Sequence, residues 1–272
     1  MPLSSRRHPT PAGRGRGEPP VPPVDARLVE PETRFEIIDG ETLYVPPADE
    51  PHGSRHSKVS ALLEAHAADG YDVASDMLTR TSKTGDMAPD ASVFPSARDP
   101  RTGGRQIEEL AFEVVSTESL GHAAIKARAL TSRGVRRVFA VDVERRAALA
   151  WSRETNTWEI LPRDGFITDP ALSAPLPVRA LVDASKADDA MAAALITKKN
   201  PVIEEAIVAG EGRGQKRGQL EGKITSLLLL MEARGLTLSK KEEKRVRAAD
   251  DEATLDAWIR RAACAKSADD VL

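Results

Sequence analysis

The chain has 272 residues, 40% of them hydrophobic, and a formal net charge of −3. This length allows one large domain, or one medium domain with appendages, and the charge excludes a molecule-wide positive field. The single cysteine, Cys264, excludes a disulfide scaffold and a cysteine-based zinc site. No apolar run reaches the roughly 18 residues of a membrane span, and the N-terminal arginines precede no apolar signal segment. We therefore expect a cytoplasmic protein without a membrane partner.

Residues 1–30 are rich in Pro, Arg, Gly and Ser and poor in apolar side chains. Such a composition cannot bury enough surface to offset the entropy cost of folding, so it predicts a disordered arm. Its arginines (Arg6, Arg7, Arg14, Arg16) could contact phosphates, but a solvated tail is the simpler interpretation.

The first regular elements are a β-hairpin and a helix. In residues 35–45, Asp39-Gly40 separates two β-prone runs, as in a tight hairpin turn. A helix over residues 54–68 follows, since Val59, Leu62, Leu63 and His66 recur at helical spacing and predict one buried face. Gly70 is expected to cap its end.

The middle of the chain alternates short strands with a second helix. Strands are predicted over residues 71–75, 77–81, 88–94 and 110–115, with a Gly- and Arg-containing loop at 98–105. The second helix starts at Thr117 or Ser119 and runs to Ser132, before Gly134. Three more strands are predicted over residues 135–143, 147–151 and 157–161, the last two as a hairpin.

The C-terminal part has a different character. Residues 184–218 form an Ala-rich helical and then Gly-rich linker, with Pro201 breaking the helix and a flexible stretch at 210–222. Residues 219–272 form a helical appendage, in which Ser239 and Glu242 make a capping box. The apolar cluster Leu227, Leu228 and Leu230 suggests that this appendage mediates homo-oligomerisation; the alternative is a small self-contained bundle.

Two carboxylates in the strand region carry the strongest chemical signal. Pro89-Asp90 opens an apolar strand, and Glu113 lies inside the apolar run Leu110 to Val115. Burying a carboxylate costs several kcal/mol unless it is paired or bound to a metal, and two adjacent carboxylates repel each other. A hard divalent cation such as Mg²⁺ removes both problems and can activate water on a phosphodiester. The alternatives are a Pro-Asp turn and a glutamate on the solvent face of an edge strand.

A family resemblance distinguishes between these interpretations. The elements concerned are residues 35–41, His56, Pro89-Asp90, residues 112–116, Lys126, Gly134-Val135 and Val141-Asp142. In order and spacing this set resembles the Uma-type family of restriction endonucleases, part of the PD-(D/E)xK nuclease superfamily, over about residues 34–181. The resemblance implies an α+β fold with a restriction-endonuclease-like core, a mixed sheet flanked by helices, in a nuclease domain spanning residues 31–183.

The resemblance also implies roles for individual residues. Asp90 and Glu113 match the metal-binding acids of the motif, with Mg²⁺ or Mn²⁺ as cofactor. Val115 stands where the motif lysine would fall, and Lys126 on the second helix matches the lysine that the family carries there instead. This chain departs from the family at His122 and Leu130, one turn before and after Lys126, which puts full activity in doubt but not the fold.

Four further residues are candidates of lower specificity. Glu36 could approach the metal as a third acid, or could be a surface charge of the hairpin. His56, Ser116 and His122 could lie near the substrate, whereas a helical surface histidine is the simpler interpretation of His56. No base is evident that would make Ser116 a nucleophile.

These observations lead to two hypotheses. The first is a Mg²⁺-dependent endonuclease that hydrolyses nucleic acid, with DNA preferred, in which Asp90 and Glu113 hold the ion and Lys126 assists. The second is a catalytically impaired nucleic-acid-binding or protein-interaction module on the same fold.

Overall fold

The computed structural model describes residues 21–28, 35–45, 47–116 and 120–272. The chain forms two compact units, Met1–Lys198 and Lys199–Leu272. The elements of the first unit are, in order, β1 Phe35–Ile38, β2 Glu41–Tyr44, α1 Glu50–His66, β3 Tyr71–Ser75, β4 Thr79–Arg80, β5 Asp86–Met87, β6 Ala91–Pro95, β7 Leu110–Val115, α2 Leu120–Arg133, β8 Arg137–Asp142, β9 Ala147–Ser152, β10 Thr157–Ile160, β11 Phe166–Ile167, β12 Leu176–Pro177, α3 Val178–Val182 and α4 Ala184–Thr197. The second unit contains α5 Pro201–Ala233, α6 Lys240–Arg247 and α7 Glu252–Ala262.

A mixed six-stranded sheet forms the centre of the first unit. Its strand order is β10-β9-β8-β7-β6-β3, and the central pair, β7 and β8, is parallel while the other pairs are antiparallel. All six residues of β7 are buried, as expected for a strand covered on both faces. The predicted α+β class with a mixed sheet flanked by helices is confirmed.

The two faces of β7 pack against different helices because side chains alternate along a strand. Phe112 and Val114 share a core cluster with Leu62 and Leu63 of α1. On the opposite face, Ala111 packs with Ala127 and Leu130 of α2, and Val115 packs with Ala123 of the same helix. Glu113 lies on the same face as Ala111 and Val115, so it faces α2.

A second sheet, ordered β2-β1-β5-β4, is built on the predicted N-terminal hairpin. The turn residues Asp39 and Gly40 have φ of 50° and 88°, the left-handed values that a two-residue hairpin turn requires. Strand β5 was not predicted from the sequence, and it pairs with β1 through Ile37 and Asp86. This pairing brings the hairpin next to the residues that precede β6.

Helix α1 begins four residues earlier than the sequence pattern indicated. Asp49 caps it, accepting a hydrogen bond from His52 N at 2.8 Å, and Pro51 lies in the first turn, where proline is tolerated. Pro51 and Gly53 thus lie inside the helix, before the predicted start at Ser54. The predicted buried face, including His66, is confirmed. The helix ends at His66, so Gly70 belongs to the following turn and does not cap it.

The predicted disordered arm is wrong for residues 21–28, which pack against the first unit. Val24 is buried, Arg80 Nε donates to Ala26 O at 2.8 Å, and Arg133 Nη2 donates to Pro22 O at 2.7 Å. Hydrogen bonds to main-chain oxygens, more than apolar side chains, hold this segment in place. The low apolar content of the sequence therefore did not indicate that the segment packs against the unit. The rest of the arm, with its four arginines, and the predicted helix start at Thr117 or Ser119 lie outside the described residues.

The predicted linker differs from the structure in two respects. Helix α4 packs against α1 within the first unit, through Ala190 in its core. Pro201 breaks the helix as predicted, and Asn200 caps the next one by accepting from Val202 N at 3.1 Å. The Gly-rich stretch at 210–222 is helical, not irregular. We attribute this to the packed C-terminal half of α5, from which a nucleated helix extends at low cost.

The second unit has its own apolar core, formed by Leu227 and Met231 of α5, Val246 of α6, and Leu255 and Trp258 of α7. The predicted capping box at the start of α6 is present: Ser239 N donates to Glu242 Oε2 at 2.7 Å, and Glu242 N donates to Ser239 Oγ. The apolar cluster Leu227, Leu228 and Leu230, which suggested oligomerisation, therefore packs inside the unit. This packing is what a small self-contained bundle requires. The oligomerisation role stays a prediction.

Across the described residues, none of the helices combines the length and apolarity needed to cross a bilayer.

Candidate active site

Glu113 and Asp90 lie side by side at one end of the central sheet. Ala91 of β6 pairs with Phe112 of β7, and continuing this antiparallel register by one residue places Asp90 across from Glu113. Asp90 Oδ2 accepts a hydrogen bond from Val114 N at 2.5 Å, which fixes the carboxylate against β7. The side chain of Glu113 is 5% exposed, so this end of the sheet holds a buried acidic pair.

Lys126 extends from α2 into the same place. Its Nζ lies 2.8 Å from Glu113 Oε2 and 3.3 Å from Glu36 Oε1, and donates to Ala88 O at 2.7 Å. The side chain is buried, with 8% exposed. Glu36 is fixed in turn, because its Oε1 accepts from Ala88 N at 2.9 Å. The cluster thus combines groups from four parts of the chain: Glu36 from the hairpin, Ala88 and Asp90 from the segment before β6, Glu113 from β7, and Lys126 from α2.

The pKa values of the cluster follow from burial and mutual charge. Burial raises the pKa of Glu113 well above its ordinary value, and the charges of Asp90 and Glu36 add to this rise against the opposing effect of Lys126. Burial would lower the pKa of Lys126, but Glu113, Glu36 and Asp90 outweigh it and raise that pKa. Three carboxylates around one ammonium leave an excess of negative charge, which a cation would neutralise.

Two histidines of α1 lie against Asp90. His52 Nε2 is 3.6 Å from Asp90 Oδ1, and His56 Nε2 contacts the main-chain oxygen of Asp90. Burial works to raise the pKa of Asp90, but the hydrogen bond from His52, the charge of Lys126 and the bond from Val114 N outweigh it and lower that pKa. Asp90 therefore remains ionised more readily than Glu113.

The other predicted residues lie on the elements that carry this cluster, at the end of β7 and on α2. Ser116, at the end of β7, has its Oγ 3.3 Å from Asp49 Oδ1, so its hydroxyl is engaged with the cap of α1. His122 lies one turn before Lys126 on α2 and is half-buried. Leu130, one turn after, is fully buried in the core between α2 and the sheet, so this departure from the family pattern serves packing.

The donor set fits a hard divalent cation. Glu113 Oε1 is buried and has no hydrogen-bond partner, a costly state that a bound cation would relieve. Among the described residues, His, Cys, Asp and Glu nowhere form a ready-made group of three or more metal ligands. Mg²⁺ needs no such cage, because it commonly takes one or two carboxylates and completes its shell with water and substrate oxygens.

Comparison with known proteins shows the family of the chain. The model of the Uma2 family, described as "Putative restriction endonuclease", matches residues 24–181, more than half of the chain. The chain belongs to the Uma2 family. The resemblance found in the sequence is thus confirmed, and with it the restriction-endonuclease-like character of the core.

One solved structure is similar to part of the chain. The crystal structure of "a putative nuclease belonging to DUF820" from Anabaena variabilis is 16% identical, with a TM-score of 0.47, and the match covers 57% of this Uma2 chain and 93% of that chain. No curated protein matches.

Sequence reasoning missed one residue of this Uma2 site, His52. Its signal was available, since His52 and His56 are four residues apart and share a helix face. A helix that starts at Ser54, as predicted, leaves His52 in a loop, so the shared face of the two histidines is not evident from that prediction.

Proposed function

We propose that this protein is a divalent-metal-dependent endonuclease that hydrolyses phosphodiester bonds of nucleic acid, with DNA as the substrate. The observation that carries the proposal is the buried Glu113 carboxylate, paired with Lys126 at 2.8 Å through one oxygen and without a partner on the other. A fully desolvated, half-satisfied carboxylate is costly to maintain, and perturbed groups of this kind concentrate at functional sites. Membership of the Uma2 family supports the same reaction class.

In this proposal each side chain of the cluster has a separate task. Asp90 and Glu113 would hold Mg²⁺ or Mn²⁺, while Glu36 lies 3.3 Å from Lys126 Nζ and holds that ammonium group in place. The ion supplies Lewis-acid stabilisation of the phosphodiester and a more acidic bound water. Lys126 would donate a hydrogen bond from its ammonium group to the attacking water or to the developing negative charge.

Lys126 must release a contact to perform this task. The ammonium group has three protons and three neighbouring oxygens: Glu113 Oε2, Glu36 Oε1 and Ala88 O. A cation bound at Asp90 and Glu113 would weaken the hold of Glu113 on Lys126, because the cation and the ammonium group would compete for the same carboxylate charge. The side chain of Lys126 can then turn its ammonium group toward the substrate while the backbone stays in place.

Cleavage of supercoiled plasmid tests the proposal. Wild type is expected to nick the plasmid with Mg²⁺ or Mn²⁺ and to stop when EDTA is added. Asp90→Ala, Asp90→Asn and Glu113→Gln should each abolish nicking. Asp72→Asn is the matched control, since Asp72 is an exposed aspartate on edge strand β3 and its loss should leave the rate unchanged.

Two outcomes would contradict the proposal. Equal nicking by wild type and Asp90→Ala would assign the activity to a contaminant. Metal-independent binding of nucleic acid, with no cleavage under any divalent ion, would favour the alternative of an impaired binding module. Parallel assays with single-stranded RNA and duplex DNA determine which nucleic acid is cut.

A further inference from the structure

A cavity of about 280 Å³ lies between the hairpin sheet and α2 in the first unit. Apolar side chains from both sides line it: Ile38 and Met87 from the sheet, Ile125 and Ala129 from the helix. Ligand pockets for drug-sized molecules measure about 300–1,000 Å³, so this cavity suits a smaller and partly apolar group.

The polar lining of the cavity has no excess of charge of either sign. Arg128 contributes one cation, Asp39 contributes one anion, and Thr81 and Ser82 belong to the turn between β4 and β5. A Cβ added at Gly85 would meet Thr81 Oγ1 at 2.6 Å and Ser82 Oγ at 2.9 Å. Both hydroxyls therefore lie close to Gly85, and Thr81 and Ser82 bring neutral polar side chains to the lining.

The cavity is lined by the same elements that carry the carboxylate cluster. Glu36 and Ile38 are two residues apart on β1, so they share a face of the strand. Met87 directly precedes Ala88, whose carbonyl accepts from Lys126 Nζ. Ala129 follows Lys126 by three residues and lies on the neighbouring surface of α2. A group in the cavity would therefore be flanked by the elements that hold Glu36 and Lys126.

We propose that this cavity accepts a single nucleobase turned out of the substrate strand beside the cleavage position. The inference rests on the proposed function. A nucleobase combines a flat apolar body with donors and acceptors at its edge, which matches apolar walls, two hydroxyls and one charge of each sign. A phosphate fits less well, since Asp39 opposes it and the cavity lies along the C-terminal half of α2, the negative end of the helix dipole.

Binding of short duplexes to the Asp90→Asn protein in Ca²⁺ tests the proposal without cleavage. One duplex is fully paired and the other has a single central mismatch. Extrusion of a paired base costs a few kcal/mol and a mismatched base costs less, so we expect binding of the mismatched duplex to be about tenfold tighter. 2-Aminopurine placed at the mismatch should become more fluorescent on binding, because it leaves the stack.

Two variants of the cavity and one control make the result specific. Ala129→Leu fills the cavity and Arg128→Ala removes a group from its lining; both place good helix formers on α2. Each variant should bind the paired and the mismatched duplex with equal affinity and should show no rise in 2-aminopurine fluorescence. Arg101→Ala is the control, since its side chain is 88% exposed in the loop at the opposite end of β6 and β7. It should keep the preference.

Equal binding of both duplexes by the parent protein would overturn the proposal. So would a preference that survives in both cavity variants, or a loss of affinity in Arg128→Ala that is the same for both duplexes, as for a simple phosphate contact. The two proposals fail separately. Plasmid cleavage without a mismatch preference overturns only the cavity assignment, and a mismatch preference without cleavage overturns only the hydrolysis.

Discussion

Substitution of Lys126 by methionine tests the central feature of the site, the buried ammonium between two carboxylates. Methionine keeps an unbranched apolar side chain of similar length and removes only the charge and its protons. The change leaves Glu113 and Glu36 buried without their shared cation, 2.8 Å and 3.3 Å from the missing Nζ. We expect a loss of stability even before any substrate is present.

The magnitude follows from opposing electrostatic effects. At an effective dielectric constant of about 20, unit charges at these two separations attract by about 6 and about 5 kcal/mol. Desolvation of the ammonium costs several kcal/mol and offsets part of this attraction. Removing one partner of a buried ion pair costs about 3–5 kcal/mol in net terms, and we expect Lys126→Met to fall in that range.

Urea unfolding in EDTA measures this effect. A Trp258→Phe background restricts the fluorescence signal to Trp151 and Trp158 of the first unit, and Trp158 Nε1 donates to Leu120 O of α2 at 3.1 Å. Lys58→Met is the matched control, because Lys58 is exposed on α1 and its loss should cost under about 0.5 kcal/mol. In the double variant Lys126→Met/Glu113→Gln, the penalty should shrink by at least about 1 kcal/mol, since no charge at position 113 is left unpaired.

A loss below about 1 kcal/mol for Lys126→Met, no larger than that of Lys58→Met, would refute this reasoning, since it would mean that the ammonium is solvated. An additive double variant would refute it as well, because additivity would show that Lys126 and Glu113 do not interact.

Three further predictions concern stability elsewhere. Burial works to raise the pKa of Asp169, but the hydrogen bonds from Arg136 outweigh it and lower that pKa below 3.8. The stabilisation is therefore present above that pH and is lost as the pH falls through the folded-state pKa; Asp169→Asn should cost about 2 kcal/mol by urea unfolding at pH 7 and progressively less as the pH falls below 3.8. Ser239→Ala removes the capping box and should cost about 1 kcal/mol in the second unit, read by Trp258 fluorescence. Leu227→Ala should cost about 2–5 kcal/mol there, against under about 0.5 kcal/mol for Leu229→Ala, since Leu227 is 0% and Leu229 is 60% exposed.

The sequence by itself determined the elements whose signal is local. The hairpin turn at Asp39-Gly40, the strand around Glu113, the buried face of α1 and the capping box at Ser239 were all predicted, because each depends on residues a few positions apart. Asp90 and Glu113 were singled out because a carboxylate among apolar strand residues is anomalous wherever the strand lies. The family resemblance added Lys126, which periodicity would have assigned to a solvated helix face.

Only the tertiary structure decided which of these residues meet. Glu36, Ala88, Glu113 and Lys126 come from four segments, and strand pairing and the packing of α2 on β7 bring them within hydrogen-bonding distance. The same is true of residues 21–28 and of the cavity beside Lys126, whose partners are distant along the chain. Such contacts depend on strand register and helix position, which the whole core determines together. The sequence therefore identified the acids, and the fold placed Lys126 against Glu113 and Glu36.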